Sequence, residues 1–186
     1  MSTMPSESAD DAVRPPTRIV LPHSSTVRWR REAPQDAQPL RALRMAVRAA
    51  DFALLGLAPA QLQALCAQQV DSQWQQYRAR FPDVYCEVAE QAGSLVGAMA
   101  WRSERGGAAA LHLVDIGVHP QWQSQGLGTA MLRGLMACAD AHALPVRLEV
   151  LRHSRARDWY IRWGFAPVDG AGLTMHETLV RPAQRP

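Results

Sequence analysis

A chain of 186 residues that is 47% hydrophobic and 20% charged fits one globular domain with a sizeable core and excludes a disordered or fibrous chain. Its basic side chains, arginines spread along the sequence, give with the 17 acidic ones a net charge of only +3, a balance that does not argue for a nucleic-acid groove. No stretch approaches the roughly 18 apolar residues of a membrane span, and the N-terminus lacks a basic region followed by an apolar core, so neither membrane insertion nor secretion is indicated.

In chain order, residues 1–25 carry Ser, Asp, Thr and four prolines with little periodicity before Ile19-Val20-Leu21, and read as a flexible arm. Thr26 to Arg31 alternates Val27 and Trp29 with Arg28 and Arg30, as a half-exposed edge strand does. Asp36 to Ala49 predicts a helix with Leu40, Leu43 and Val47 on one stripe; the second stripe, Arg41, Arg44 and Arg48, is read as a solvated face rather than a phosphate clamp. After a break at Asp51 to Gly56, Pro59 suits the first turn of a second helix carrying Leu62, Leu65, Cys66, Val70, Trp74 and Tyr77.

Val84 to Glu90 and Leu95 to Ser103 flank the hairpin signal Gln91-Ala92-Gly93-Ser94, and Gly106-Gly107 allows another reversal into a strand at Leu111 to Val118. These three strands are expected to be antiparallel. The closing segments are a helix carrying Met131, Leu132, Leu135, Met136 and Ala139, a strand at Val146 to Leu151, a helix from Ser154, and strands at Phe165 to Val168 and Leu173 to Val180. Cys66, Cys86 and Cys138 are odd in number and far apart, with neither disulfide nor zinc spacing; they read as reduced, buried thiols of a cytoplasmic protein, and no metal is expected.

The chemistry concentrates where the strand from Leu111 passes through His119-Pro120-Gln121-Trp122-Gln123-Ser124-Gln125-Gly126-Leu127-Gly128-Thr129 into a helix. A helix start leaves backbone N–H groups unpaired, which attracts phosphate, and glycines at 126 and 128 let an oxyanion approach the main chain. No Gly-Lys-Ser/Thr follows, so this is not a P-loop. Replacing Gly126 by Val is expected to block that approach with little loss of fold.

Gln123, Gly126 and Gly128 satisfy a Q/R-x-x-G-x-G/A pattern preceded by Val118-x-Pro120, which resembles the acyl-CoA pyrophosphate loop of the GNAT superfamily of N-acyltransferases. A second block resembles the same family: Ala156, Tyr160, Gly164 and Phe165 match N-x-x-A-x-x-L-Y-x-x-x-G-F at the right spacing, with His153 in place of the frequent Asn and Trp159 in place of Leu. The resemblance implies an α/β (α+β) mixed sheet, mostly antiparallel and partly splayed, flanked by helices, within a single N-acetyltransferase domain at 26–182 followed by a tail at 183–186.

It further implies an acetyl-CoA-dependent enzyme moving an acetyl group directly to a primary amine of a small molecule or peptide. The main chain of Ile116 and Val118 would meet pantetheine, Gln123, Ser124, Gln125, Gly126, Leu127, Gly128 and Thr129 would enclose the pyrophosphate, and His153 would stand at a polar contact to CoA. Trp74 and Tyr77 are candidates to line the acceptor cleft or, alternatively, amphipathic core residues. Tyr160 would protonate the leaving thiolate as general acid. His112, on the strand feeding the loop, is the base candidate; Asp115 is its rival, on the opposite face by period-two counting. Glu90, His153, His176 and Glu177 are weaker candidates.

No nucleic-acid or membrane partner is implied, and homodimers are frequent in the family. A noncatalytic acyl-CoA-binding sensor or interaction module on the same fold is the alternative reading. The acceptor is left open, with a slight lean towards a small or moderately apolar amine.

Overall fold

The computed structural model describes Pro16, Ile19 and residues 26–52, 55–104, 109–168 and 175–184. The expected arm, the reversal at Gly106-Gly107 and the beginning of the last strand at Leu173 lie wholly or largely outside them.

A seven-stranded mixed sheet forms the frame. It begins with β1 (Arg28–Arg31), passes through a 3₁₀ turn at Pro34–Asp36 into α1 (Ala37–Phe52) and α2 (Pro59–Arg80), and continues as β2 (Tyr85–Gln91), β3 (Ser94–Glu104) and β4 (Ala110–Val118). A 3₁₀ turn at Pro120–Trp122 leads to α3 (Leu127–Ala141), then β5 (Val146–Leu151), α4 (Arg155–Arg162), β6 (Ala166–Pro167) and β7 (His176–Arg181). The strand order is β1-β2-β3-β4-β5-β7-β6. The meander β2, β3 and β4 is antiparallel, as the sequence predicts, and β4 with β5 is the single parallel pair among the described residues, crossed over by α3.

The hairpin between β2 and β3 turns on Ala92 and Gly93, both at positive φ, the conformation a two-residue turn requires. Paired to β2 with Arg28 opposite Glu90 and Trp29 opposite Ala89, β1 does form the sheet edge, although Trp29 is buried. Arg30 in that strand forks onto Asp36 and donates through Nε to Glu90 at 2.8 Å, which ties the edge to the start of α1.

Side-chain size decides which helix covers which face of β3. Met99 and Trp101 point to the face packed by Met131, Leu132 and Leu135 of α3, together with Leu111, Leu113, Leu148 and Phe165. Ala98 and Ala100 point the other way, and their small side chains let α1 and α2 come close through Leu40, Leu43, Val70 and Trp74. At Gly117 of β4 an added Cβ would already stand 3.5 Å from Val47 of α1. Pro16 and Ile19, ahead of β1, are buried on this frame, with Ser103 Oγ donating to the Pro16 carbonyl at 3.4 Å. The three cysteines are free thiols, Cys66 and Cys86 buried and Cys138 half-buried; burial pushes the Cys86 thiol up, so it is held as an inert apolar group.

Candidate active site

The site begins with a break in pairing. β4 and β5 are in register only at Leu111 with Val146, His112 with Arg147 and Leu113 with Leu148; beyond that β4 runs on alone to Val118. Its other edge explains why. Against β3, Ala100 pairs with Asp115 and Trp101 with Leu113, so Val114 is an extra residue, a β-bulge that bends β4 away from β5. The wedge between the strands opens a cleft of about 760 Å³, walled by α1 and α2 on one face and reaching Tyr160 of α4 on the other.

The bulge overturns one expectation. Period-two counting puts His112 and Asp115 on opposite faces, but their partners Arg102 and Ala100 are two apart on β3 and share a face, so both side chains point to the α1/α2 side. Both line the cleft.

Their surroundings differ. His112 is 4% exposed, its ring held edge-on to Phe81 at 5.3 Å, with Nδ1 3.3 Å from Glu104 Oε1 but outside hydrogen-bond geometry. Burial lowers its pKa, with Glu104 pulling the other way, and the ring is neutral at pH 7. Asp115 is pushed up by burial, against the opposing pull of Arg44 and Arg48 and a hydrogen bond from the Ile116 N–H.

Tyr160 is brought in from the opposite face by α4. Ser154 caps that helix, its Oγ accepting from the Arg157 N–H at 3.2 Å and donating to the Leu151 carbonyl at 2.9 Å, so the helix starts directly at the end of β5. The ring is fixed between Trp159 and Phe165, at centroid distances of 5.0 and 5.5 Å. Burial first and the nearby Asp115 second raise its pKa, so the hydroxyl keeps its proton throughout the neutral range.

At the mouth, β4 passes into the glutamine-rich turn. Gln123 Nε2 donates to the Val118 carbonyl and Gln125 Nε2 to the Gln121 carbonyl, each at 3.0 Å; these two side chains close the turn on itself. Gly126, at φ +83°, is the N-cap of α3, and a Cβ there would meet nothing within 4 Å. That positive φ corrects the expectation for Gly126→Val: the surrounding space tolerates a branched side chain and the backbone does not. Ser124, also at positive φ, is exposed with Gln123, Gln125 and Gly126, while Leu127, Gly128 and Thr129 are half-buried in the first helical turn, where N–H groups lack helical partners. Gly128 sits against Val118 and Trp159, with an added Cβ 3.6 and 4.0 Å away.

These residues fit acyl-CoA: a helix start with unpaired N–H groups follows a strand edge, Val114 to Val118, that no β5 residue pairs with. Ile116 and Val118 lie on that edge segment. His153 does not converge on it: it is exposed in the turn between β5 and α4 and does not line the cleft.

Trp74 and Tyr77 both line the cleft, edge to face at 5.7 Å. The α1 arginines are where the sequence reading fails. Arg41 does lie at the surface, forked onto Asp71 of α2 at 2.7 and 2.8 Å, but Arg44 turns under into the cleft with its guanidinium carbon 3.2 Å over the Trp74 ring, and Arg48 donates to Gln73 Oε1 at 2.7 Å. The i, i+4 spacing of Arg44 and Arg48 beside the apolar Leu40, Leu43 and Val47 was the available signal. Of the weaker candidates, Glu177 is buried and occupied by Arg157 and Arg152, His176 lines the cleft from an exposed position, and Glu90 is spent on Arg30. Among the described residues no group of three or more His, Cys, Asp and Glu side chains could hold a metal ion, and no helix is long and apolar enough to cross a membrane.

Residues 82–167, from β2 through β6, match the family model of the acetyltransferase (GNAT) domain. No curated protein matches the sequence. Among solved structures, PaiA N-acetyltransferase from Thermoplasma acidophilum, in complex with coenzyme A, is 15% identical with a TM-score of 0.61 over 84% of this chain and 99% of its own. An acetyltransferase from Thermus thermophilus is 21% identical with a TM-score of 0.60, covering 84% and 97%, and nourseothricin acetyltransferase is 20% identical with a TM-score of 0.55, covering 86% and 100%. The family model spans the bulged strand, the glycine turn and the tyrosine helix, and across most of the chain the fold is the one these solved acetyltransferases have.

Proposed function

We propose that this protein is an acetyl-CoA-dependent N-acetyltransferase that moves an acetyl group directly to a primary amine of a small molecule or peptide. One observation carries the reading: the wedge between β4 and β5 brings an unpaired strand edge, a buried tyrosine and two titratable groups to one cleft, and β4 runs on from that cleft through Val118 to the helix start at Gly126. Acetyl-CoA supplies the thioester whose carbonyl is attacked.

The roles follow from the chemistry of each group. The first-turn N–H groups of α3, from Leu127 to Thr129 and set up by Gly126, hold phosphate oxygens, with Gln123, Ser124 and Gln125 forming the turn around them. The free edge of β4 at Ile116 and Val118 pairs with the amides of the pantetheine arm, and a backbone N–H near Val118 faces the developing oxyanion. His112, neutral because it is buried, accepts the proton of the incoming ammonium, with Glu104 beside Nδ1 stabilising the cation that results. Tyr160 keeps its proton at neutral pH and donates it as charge grows on sulfur. Trp74 and Tyr77 wall the acceptor's place. A cytoplasmic location, a single domain at 26–182 and a homodimer all suit this reading; His153 would meet CoA only at the rim.

The test is calorimetric titration with acetyl-CoA followed by thiol release with a panel of amines. Binding together with amine-dependent release supports the transferase. Tight binding without release from any amine favours a sensor on the same fold.

A further inference from the structure

The acceptor wall carries a positive charge that the protein itself leaves unanswered. Arginines Arg30, Arg41, Arg102, Arg157 and Arg181 each donate to a carboxylate. Arg44 does not. Its Nε is sealed from solvent with no hydrogen-bond partner, one terminal nitrogen reaches only the Cys86 sulfur at 3.9 Å, and the guanidinium lies flat on Trp74. Burial lowers its pKa, while Asp115 and Glu32 act on it only at a distance. A desolvated guanidinium without a bonded anion is a standing cost to the fold.

The neighbouring hydrogen bonds have a fixed direction. Arginine can only donate, so the Gln73 oxygen must face Arg48 and the Gln73 nitrogen must face Tyr77, whose oxygen accepts at 2.9 Å. The Tyr77 hydroxyl, having accepted, has its own proton to give. Arg44 and Tyr77 therefore flank Trp74 with donors to offer, in a pocket that Leu43, Val47, Val70 and Phe81 line together with Arg48, Gln76 and Arg80. Across the same pocket stands Asp115, suited to an ammonium.

We infer that the acceptor is an amine that also carries a carboxylate, an amino acid in its simplest form, whose carboxylate lies on Arg44 and Tyr77 while its nitrogen faces Asp115 and the thioester. The assignment rests on the transferase reading above and names its substrate class. A carboxylate rather than a phosphate is favoured because the planar guanidinium offers parallel donors to two coplanar oxygens.

The test uses the full chain with acetyl-CoA and a matched panel: L-leucine, L-leucinamide, isopentylamine and an aminoalkyl phosphate, each assayed by thiol release and by thermal shift in the presence of CoA. The expected result is a kcat/KM for leucine at least about tenfold above the amide and the amine, the scale of a lost charge-assisted hydrogen bond. Arg44→Met should abolish that preference by raising KM for leucine far more than for isopentylamine, and keep or raise the melting temperature, because the buried charge is gone. Should no amine turn over, protection of the CoA complex by leucine in wild type but not in Arg44→Met supports the inference, and protection by none of the four overturns it. Equal rates for leucine and isopentylamine, or the phosphate preferred to leucine, also overturn it. These failures are distinct from failure of the transferase reading, which would show as no heat with acetyl-CoA or as binding without thiol release from any amine of the wider panel.

Discussion

Tyr160 and His112 are two buried groups whose protons are set by burial in opposite ways, and each makes a separable claim. Tyr160→Phe keeps the ring between Trp159 and Phe165 and removes only the hydroxyl, so turnover should fall while acetyl-CoA affinity and melting temperature stay nearly unchanged; wild-type turnover would make the residue structural. His112→Ala should lower the rate by about 10²- to 10⁴-fold, and the loss should shrink as pH rises and free amine accumulates. The same histidine has a stability signature. Its folded pKa lies below the unfolded value of about 6.5, so its contribution is full above that pH and declines as pH falls below it, when the unfolded chain takes up the proton first. Urea midpoints between pH 7.5 and about 5 should fall more steeply for wild type than for His112→Gln; parallel curves would mean the ring is not held neutral. Motif and position single out both residues in the sequence, and both line the cleft. The neighbours that tune them, Glu104 and Phe81 for His112, were not, because they arrive from the end of β3 and from the exit of α2.

At the scale of elements, the glycine turn and the bulged strand work together in the transferase reading: the turn is proposed to hold phosphate, and the bulge opens the sheet so that the chain before the turn has a free edge. Gly126→Val tests the turn, but its φ of +83° adds backbone strain of roughly 1–2 kcal/mol to any loss of binding. Gly93, at φ +79° in the β2–β3 hairpin with equally open surroundings, supplies the control. Both valine variants should lose similar stability by denaturant titration, and only Gly126→Val should weaken acetyl-CoA binding; equal affinities in calorimetry would remove the turn from the site. The strand-turn-helix could be read from Leu111 to His142 because apolar period, glycines and helix spacing agree there. The bulge could not, since Val114 looks like any other strand residue and becomes an extra one only against Trp101 and Ala100. That single insertion is also why Asp115 joins His112 on one face. The arginines of α1 were misread for a related reason: periodicity identifies a stripe, but only α2 packing alongside shows that Arg44 and Arg48 face Trp74 and Gln73 rather than water.

For the whole molecule, the seven described strands and the helices on both faces form a frame, and the seam where β4 leaves β5 is the proposed place of chemistry. Its order was largely readable, from the edge strand at Trp29 to the tyrosine helix, because apolar residues recur with the right period in nearly every element. The depth and polarity of the cleft were not readable, because they depend on Ala98 and Ala100 admitting α1 and α2 closely and on β4 leaving β5 after Leu113. The central claim is direct transfer across that seam, and the sequence offers a clean background for measuring it, since it contains no lysine to become acetylated in place of the acceptor. The measurement is mass spectrometry of a single-turnover mixture of the protein, acetyl-CoA and a reactive amine from the panel. Free CoA and acetylated amine should form in equal amounts while the protein's own mass stays unchanged; a protein that binds acetyl-CoA yet acetylates no amine, or that carries the acetyl group itself before the amine does, would contradict the account.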